Sequence, residues 1–285
     1  MNRKNYSSQT KIFSFLILFA LASNLSSDIE DNIALHKEQF SEVALKIWEY
    51  AELGYQETKS SNLLASELEK EGFKITKRVA GIPTAFVAEF GSSGPVIGIL
   101  GEFDALPGLA QTNSPFKEVA INDSGGGHAC GHHLFGAASA WAAVSIKEWL
   151  VENDIEGTVR FYGTPAEEGG SGKVYMVREG LFDDVDVVLH WHPDDVNSAN
   201  PKTSNSNKSA KFTFKGISAH AAGSPELGRS ALDGVEAMNM MVNLMREHIP
   251  QESRMHYVIT KGGLAPNVVP DLAEVYYYVR HPEMK

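Results

Sequence analysis

The chain has 285 residues, of which 43% are hydrophobic, enough for one large domain or two smaller ones with their own cores. Its formal net charge is −11 at pH 7. This net negative charge argues against a nucleic acid as the partner, because proteins that bind phosphate backbones usually present a basic face.

The N-terminus resembles a secretion signal. Three basic residues precede an apolar run over residues 12–22, and small residues lead up to Ala22. The run is too short to span a bilayer as a helix, which needs about 20 residues. We predict that residues 1–25 are a cleaved signal peptide, that the protein is exported to the periplasm or secreted, and that no stable membrane span is left after cleavage. The alternatives are an uncleaved membrane anchor or a misassigned start codon.

The next part of the chain predicts alternating helices and strands. Helices are expected at residues 29–51, 58–71 and 134–150, and strands at 84–90, 95–100, 159–162 and 185–189. The last two strands are short apolar runs between polar residues, which is typical of buried parallel strands. The alternation predicts an α/β layered domain over residues 26–205.

A polar stretch at residues 194–208, rich in Asn and Ser, is typical of a linker, and the pattern changes after it. Strands are expected at 210–214, 257–260 and 273–279, and a helix at 230–249. The helix positions expected to face inward are Leu232, Val235, Met238, Met241 and Leu244. The order β-α-β-β over residues 206–285 is most of a ferredoxin-like α+β unit, without its closing helix and strand.

The only cysteine lies among histidines in GGGHACGHHLFGAAS, residues 125–139. Gly131 separates Cys130 from His132 and allows the backbone to turn, so that both side chains can reach one ion. The positive N-terminal end of the following helix is expected to favour a thiolate. In an exported protein a single thiol cannot form an internal disulfide. Cys130 is therefore buried and inert, paired between chains, or bound to a metal.

Two further clusters follow predicted strands, where sites collect in open α/β sheets. TPAEEGGSG places Glu167 and Glu168 side by side, so that one could bind a metal while the other acts as a base. The alternative is a solvated acidic turn. LHWHP carries His190 and His192, for which a position in the core is the alternative.

A fourth stretch, GEFDALPGL, contains Asp104, which could orient a ligating histidine or cap a turn before Pro107. Cysteine, histidine and carboxylate together suit zinc or a similar borderline metal. Because the clusters all lie at predicted junctions of strand and loop, we interpret them jointly as a metal site.

These stretches, in this order, closely resemble the M20 family of metal-dependent amidohydrolases and peptidases, and most of all its aminobenzoyl-glutamate hydrolase-like branch. The motifs that carry the resemblance are GEFDALPGL, GHACGHHLFG, GTPAEEGG, LHWHP, GISAHAAGSPELGRSALDG and GGLAPNVVPD. The resemblance runs from about residue 30 to the last residue. It implies a zinc-peptidase-like catalytic domain with an inserted ferredoxin-like lid, through which two copies form a homodimer.

The resemblance also implies the chemistry of the site. Two divalent ions, Zn or Mn, would be held by Cys130 as a bridging thiolate and by His132, Glu168 and His192. Glu167 would be the general base. The implied reaction is hydrolysis of the amide bond in N-acyl or N-aroyl amino acids or small dipeptides.

In the lid, the resemblance places His220 and Asn267 at the carbonyl of the substrate. From the residues alone, a histidine at a strand end and an asparagine in a turn are the alternatives. Family members continue further and supply one more histidine ligand, so the sequence is expected to be C-terminally truncated. His190 is the first candidate to replace that ligand. The 285-residue chain alone is expected to be nearly inactive, to bind fewer than two metals and to self-associate. The alternative function is an inactive homologue that acts as a binding or dimerisation module.

Overall fold

A computed structural model describes residues 29–121, 124–199 and 203–284. The predicted signal peptide at residues 1–25 lies outside these ranges. The described residues form two compact units that divide between Val196 and Asn197, inside the predicted linker and shortly before the boundary predicted after residue 205. Within the same ranges, no helix has the length and apolar character that a membrane span requires.

The first unit is built around a five-stranded mixed sheet. Its helices are α1 (Lys37–Tyr50), α2 (Thr58–Lys70), α3 (His132–Glu152) and α4 (Gly172–Arg178). Its strands are β1 (Lys74–Lys77), β2 (Phe86–Phe90), β3 (Val96–Gly101), β4 (Leu106–Pro107), β5 (Gly126–Gly127), β6 (Thr158–Gly163) and β7 (Val187–Leu189). The long helix predicted at residues 29–51 is interrupted at His36, between a helical stretch at 29–35 and α1.

The strand order of this sheet is β1-β2-β6-β3-β7. β6, β3 and β7 run parallel, while β1, β2 and β6 are antiparallel neighbours. The predicted burial of residues 185–189 is wrong for β7, whose three residues are each between 43% and 50% exposed. β7 is an edge strand that pairs only with β3 in the described part of the chain, so apolar composition did not guarantee burial here.

Three helices cover one face of the sheet with apolar side chains. The core residues include Phe40 and Ile47 of α1, Leu64 of α2, and Phe86 and Phe161 of the strands. The alanines of α3 allow that helix to pack close to the sheet. At Gly136 of α3, a Cβ atom would lie only 2.6 Å from the carbonyl oxygen of Glu102, so this glycine allows the start of α3 to approach the end of β3.

The second unit contains β8 (Ser206–Lys215), α5 (Ala231–Met245), β9 (Arg254–Lys261) and β10 (Leu272–His281). Its sheet is antiparallel with the order β8-β10-β9. α5 begins at an N-cap, where the Oγ atom of Ser230 accepts a hydrogen bond from the backbone N–H of Asp233 at 3.1 Å. The predicted β-α-β-β order is confirmed.

The face of α5 that packs on this sheet differs from the predicted one. Val235 is fully buried, and Leu232, Met238 and Val242 pack beside it. Met241 and Leu244, predicted to face inward, are 64% and 67% exposed. The buried stripe follows spacings of three and four residues from Val235 to Val242, which turns Met241 and Leu244 away from the sheet.

Candidate metal centre

The ends of three parallel strands bring the candidate residues together. Glu102 and Asp104 follow β3, Glu167 and Glu168 follow β6, and His192 follows β7. Because these strands run parallel, their carboxyl ends meet at one edge of the sheet. The start of α3 adds Cys130 and His132 at the same edge.

Backbone conformation separates the side chains of the two adjacent glutamates. Ala166 has left-handed torsions (φ 55°, ψ 45°), and Glu168 departs from helical torsions (φ −67°, ψ 81°). Two carboxylates hold this turn in place. The Oε1 atom of Glu57 accepts a hydrogen bond from Ala166 N–H, and the Oδ2 atom of Asp104 accepts one from Glu168 N–H, both at 2.8 Å.

Cys130, His132 and His192 form the sulfur-containing part of the site. Their ligand atoms all lie within 4.8 Å of one another, and Cys130 Sγ lies 3.4 Å from His192 Nε2. The Nδ1–H group of His192 donates to the carbonyl of Pro193 at 2.8 Å, which leaves a lone pair on Nε2. The indole N–H of Trp191 donates to Ser139 Oγ in α3, so the loop that carries His192 is tied to the helix that carries His132.

His132 is fully buried, and its two ring nitrogens have different surroundings. Nδ1–H donates to the carbonyl and to Oδ1 of Asp104, at 3.1 and 2.9 Å. Asp104 thus lies where the sequence predicted a residue that orients a histidine. Nε2 lies 2.9 Å from Oε2 of Glu102 and 4.0 Å from Oε2 of Glu167.

Glu102 is a site residue that the sequence analysis missed. Glu102, His132 and Glu167 form a second group of possible metal ligands. One ligand atom from each of the three side chains lies within 4.8 Å of the other two. The sequence did carry a signal, since Glu102 lies two residues before Asp104 at a strand end, where residues i and i+2 share a face. Glu168 belongs to neither group of close ligand atoms, but its side chain forms a hydrogen bond with Cys130.

The electrostatics of the site depend on its carboxylates. Burial, followed by the charge of Glu168, raises the pKa of the Cys130 thiol to about 12. The thiolate predicted from the helix N-terminus is therefore wrong for the protein without a cation, because burial and the nearby carboxylates outweigh the effect of the helix on the thiol pKa. Burial lowers the pKa of His132, but the carboxylates of Asp104 and Glu102 outweigh it and raise the pKa to about 10. Burial and the charge of Glu102 raise the pKa of Glu167.

These residues fit a borderline divalent metal ion. Sulfur, imidazole and carboxylate donors converge at one place. In the metal-free protein, Lys173 and the protonated His132 offset part of the negative charge of the carboxylates. The ligands of one tetrahedral zinc ion lie about 3.3–3.8 Å apart, given bond lengths of about 2.0–2.3 Å. The separation of 3.4 Å between Cys130 and His192 matches this spacing.

His190 lies outside both groups of close ligand atoms. Its Nε2 is 4.0 Å from Oε1 of Glu102, and its ring packs edge-on against Phe135 at 5.0 Å between centroids. The described residues therefore give no support to His190 as a replacement ligand.

In the second unit, the structure brings His220 and Asn267 together. The Ala221 N–H donates to the carbonyl of Asn267 at 3.1 Å, and His220 forms a bridge with Val268. The Nδ1 atom of His220 accepts hydrogen bonds from two backbone N–H groups, those of Ala222 and Gly223, at 3.2 and 3.0 Å. His220 is therefore held as a neutral imidazole whose proton is on Nε2.

Replacing Cys130 with serine is expected to weaken the binding of Zn²⁺ by more than tenfold, since loss of a partner outside the ligand shell already costs about 10–100-fold. A hydroxyl is a poor ligand that stays protonated where a thiolate was expected. Metal content by mass spectrometry after dialysis measures the effect. Cys130→Ala should behave in the same way, and unchanged stoichiometry in both variants would remove Cys130 from the site.

An α/β layered unit with candidate metal ligands at its strand ends, followed by an antiparallel α+β unit, is an arrangement typical of two-domain metallopeptidases. The chain belongs to peptidase family M20/M25/M40, which matches residues 98–273. This confirms the family resemblance carried by the motifs.

Similar proteins include a subunit of the p-aminobenzoyl-glutamate hydrolase of Escherichia coli, which is 48% identical over 90% of this chain and 53% of its own length. Xaa-Arg dipeptidase of the mouse is 32% identical over 87% of this chain and 56% of its own length. The chain thus spans about half the length of the curated relatives it matches.

Solved structures show the same fold. An aminobenzoyl-glutamate utilization protein from Klebsiella pneumoniae aligns with a TM-score of 0.59 and 19% identity, over 90% of this chain and 70% of that one. A dinuclear metal-binding peptidase of the M20 family from Bacillus subtilis aligns with a TM-score of 0.54 and 24% identity, over 88% and 65% of the two chains.

Proposed function

We propose that the protein is a metal-dependent hydrolase of the amide bond in N-acyl or N-aroyl amino acids or small dipeptides, similar to aminobenzoyl-glutamate hydrolase. The observation that carries this proposal is the convergence of Cys130, His132 and His192 with the adjacent glutamates at one sheet edge. The names of the relatives support it, since aminobenzoyl-glutamate, hippurate and Xaa-Arg dipeptides each contain an amide bond to an amino acid.

Two divalent ions, Zn or Mn, are the proposed cofactors, held by Cys130, His132, Glu168 and His192. The dinuclear Bacillus subtilis relative supports the number, and the mixed donor set supports a borderline metal. Bound divalent ions supply Lewis-acid polarisation of the scissile carbonyl and increase the acidity of water at the site.

Glu167 is the proposed general base. Its side chain is 45% exposed, so it reaches water, and it lies beside His132 in the group of close ligand atoms. Burial and the neighbouring carboxylates raise its pKa, which makes the carboxylate a stronger base than an exposed one. It accepts the proton of the attacking water and passes it to the leaving amine.

The second unit is proposed to act as the lid. His220, held with its proton on Nε2, presents a donor suited to the developing oxyanion. Asn267 lies on the adjacent segment, where its backbone carbonyl pairs with Ala221 N–H, and its side-chain amide is the proposed second donor. A homodimer through this unit is part of the proposal. The exposed apolar residues Met240, Met241 and Leu244 support association through this unit. The Escherichia coli relative is named as a subunit, which supports an oligomer of some kind.

A hydrolysis screen tests the proposed function. The complete gene product, loaded with Zn²⁺ or Mn²⁺, is incubated with p-aminobenzoyl-glutamate, hippurate and Xaa-Arg dipeptides, with and without a chelator. Release of the free amino acid that stops with the chelator supports the hydrolase. A protein that binds metal and cleaves none of these compounds would instead support a binding or dimerisation module.

We also propose export through residues 1–25. A reporter fused to residues 1–30 is expected to leave the cytoplasm and to be cleaved near Ala22, because the apolar run has the length of a signal peptide. Amino-terminal sequencing of the exported reporter measures the cleavage site. The same fusion with a charged residue inside the run is the control and should stay inside. Retention of the unaltered fusion, uncleaved, would contradict the proposal.

A further inference from the structure

Glu102 is a buried carboxylate in the candidate metal centre, and the proposed function assigns it no role. Its side chain is 3% exposed at the end of β3. One oxygen, Oε1, accepts a hydrogen bond from the ammonium of Lys173. The other oxygen, Oε2, lies 2.9 Å from Nε2 of His132, which is itself fully buried. The second oxygen therefore needs a separate explanation.

Oε2 of Glu102 and Nε2 of His132 face each other at 2.9 Å in the interior of the first unit. Among the residues that the structure describes, neither atom has any other hydrogen-bond partner. In the metal-free protein a proton on Nε2 lies between them, just as the Nδ1 proton lies between the ring and Asp104. Because a histidine binds a metal only after losing the proton from the ligating nitrogen, a bound ion would take the place of that proton next to the same oxygen.

We propose that Glu102 is a further metal ligand, which binds through Oε2 the same ion that His132 binds through Nε2. Nitrogen and oxygen ligands at about 2.0–2.2 Å from one ion lie about 2.8–3.1 Å apart when they meet the ion at a right angle, as in a five- or six-coordinate site. The separation of 2.9 Å between these two atoms matches that spacing. The inference rests on the metal dependence in the proposed function and adds a carboxylate to its sulfur and imidazole ligands.

Lys173 explains why only one oxygen of Glu102 is available. The ammonium holds Oε1, so the carboxylate offers Oε2 as a single ligand atom. The lysine also offsets part of the negative charge that Glu102, Glu167 and Glu168 bring to the site. Fixing a ligating carboxylate by a hydrogen bond to its other oxygen is a common arrangement around protein metals.

Glu102→Gln tests the inference, because Lys173 selects the amide oxygen at the Oε1 position and leaves the amide nitrogen, which cannot ligate, facing His132. Affinity for Zn²⁺ is measured by competition with a coloured chelator. Coordination number is measured by X-ray absorption of the Zn²⁺ protein and by the visible spectrum of the Co²⁺ protein. We expect Zn²⁺ to bind at least tenfold more weakly and one light-atom ligand to be lost.

Asp104→Asn is the matched control, since Asp104 contacts the other nitrogen of the same ring. It is expected to weaken Zn²⁺ binding and to leave the ligand number and the Co²⁺ spectrum unchanged. If Glu102→Gln gives that same pattern, Glu102 only orients His132 and the inference is wrong. Unchanged affinity and coordination in Glu102→Gln would overturn it as well.

Failure of the inference and failure of the proposed function give different results. A wild-type protein that binds neither Zn²⁺ nor Co²⁺ contradicts both. A wild-type protein that binds metal, with Glu102→Gln unaltered, contradicts the inference alone. If Glu102→Gln does not fold, Glu102→Asp takes its place, because it keeps the charge and withdraws the oxygen by one methylene. The expected result is the same loss or lengthening of one light-atom contact, and an unchanged contact overturns the inference.

Discussion

Glu167→Gln is expected to lower kcat for amide hydrolysis by about 10²–10⁴-fold, which is the usual contribution of a general base, while the metal content stays unchanged. The amide keeps the size of the side chain but cannot accept a proton. The side chain is half-exposed and lies 4.0 Å from Nε2 of His132, so its loss leaves the sulfur-containing group of ligand atoms intact. Steady-state kinetics on the complete gene product, with metal analysis of the same sample, measure both quantities.

Glu168→Gln is the matched control, since it makes the same change one residue later. It is expected to lose metal as well as activity, because Glu168 is a proposed ligand beside Cys130. If the two variants exchange these behaviours, the roles of the two glutamates are reversed. If both variants keep full activity, the pair is an acidic turn without a catalytic task.

The second large effect concerns Glu57 and the stability of the metal-free protein. Glu57 is fully buried, and its carboxylate accepts hydrogen bonds from Ala166 N–H and from the hydroxyl of Thr84. Burial outweighs these bonds and raises the pKa of Glu57 from an ordinary 4.5 to about 7. Folding therefore takes up a proton at this group between those two values.

The sign of the pH dependence follows from the raised pKa. The contribution of Glu57 to the free energy of unfolding is fully present below pH 4.5 and is lost as the pH rises through about 7. The shift corresponds to about 3 kcal/mol, since each pKa unit is worth about 1.4 kcal/mol. Glu57→Gln removes the ionisation and keeps an oxygen for Ala166 N–H. Its stability relative to the wild type is therefore expected to rise by that amount between pH 4.5 and 8.

Urea unfolding of both proteins in the presence of a chelator, at a series of pH values, measures the difference. Thr84→Val supplies the control in the opposite direction, because it removes a hydrogen bond that favours the ionised carboxylate. Between pH 4.5 and 8, the free energy of unfolding of Thr84→Val should therefore fall by more than that of the wild type. A constant difference between Glu57→Gln and the wild type at every pH would show that Glu57 keeps an ordinary pKa in the fold.

Much of the fold could be predicted because it is encoded in local patterns. The strands of both units follow runs of apolar residues, and α3 follows its alanine-rich sequence. The face of α5 could not be predicted as well, because methionine and leucine occur on more than one side of that helix and only packing decides which side is buried. β7 shows the same limit, since an apolar strand at a sheet edge has the same composition as a buried one.

The site divides in a similar way. Cys130, His132 and His192 could be found because metal ligands have a recognisable chemistry and spacing. Glu57 could not, and for Glu102 the only signal was its strand-end position two residues before Asp104. Their importance comes from partners 109 and 71 positions away in the chain, Ala166 and Lys173. The raised pKa of the Cys130 thiol could not be predicted either, because it comes from burial and from carboxylates that only the folded chain brings near.

The turn from Ala166 to Glu168 has a consequence for how the site can move. Its backbone amides donate to carboxylates that belong to other parts of the first unit, Glu57 before α2 and Asp104 after β3. Neither amide can reach water unless one of those distant contacts also breaks. Opening of this turn requires breaking contacts with other elements, so we expect the amide protons of Ala166 and Glu168 to exchange with solvent more slowly than those of exposed loops. The backbone that carries the two glutamates is thus held by other elements of the first unit. We therefore expect adaptation to substrates of different shape to come from other segments.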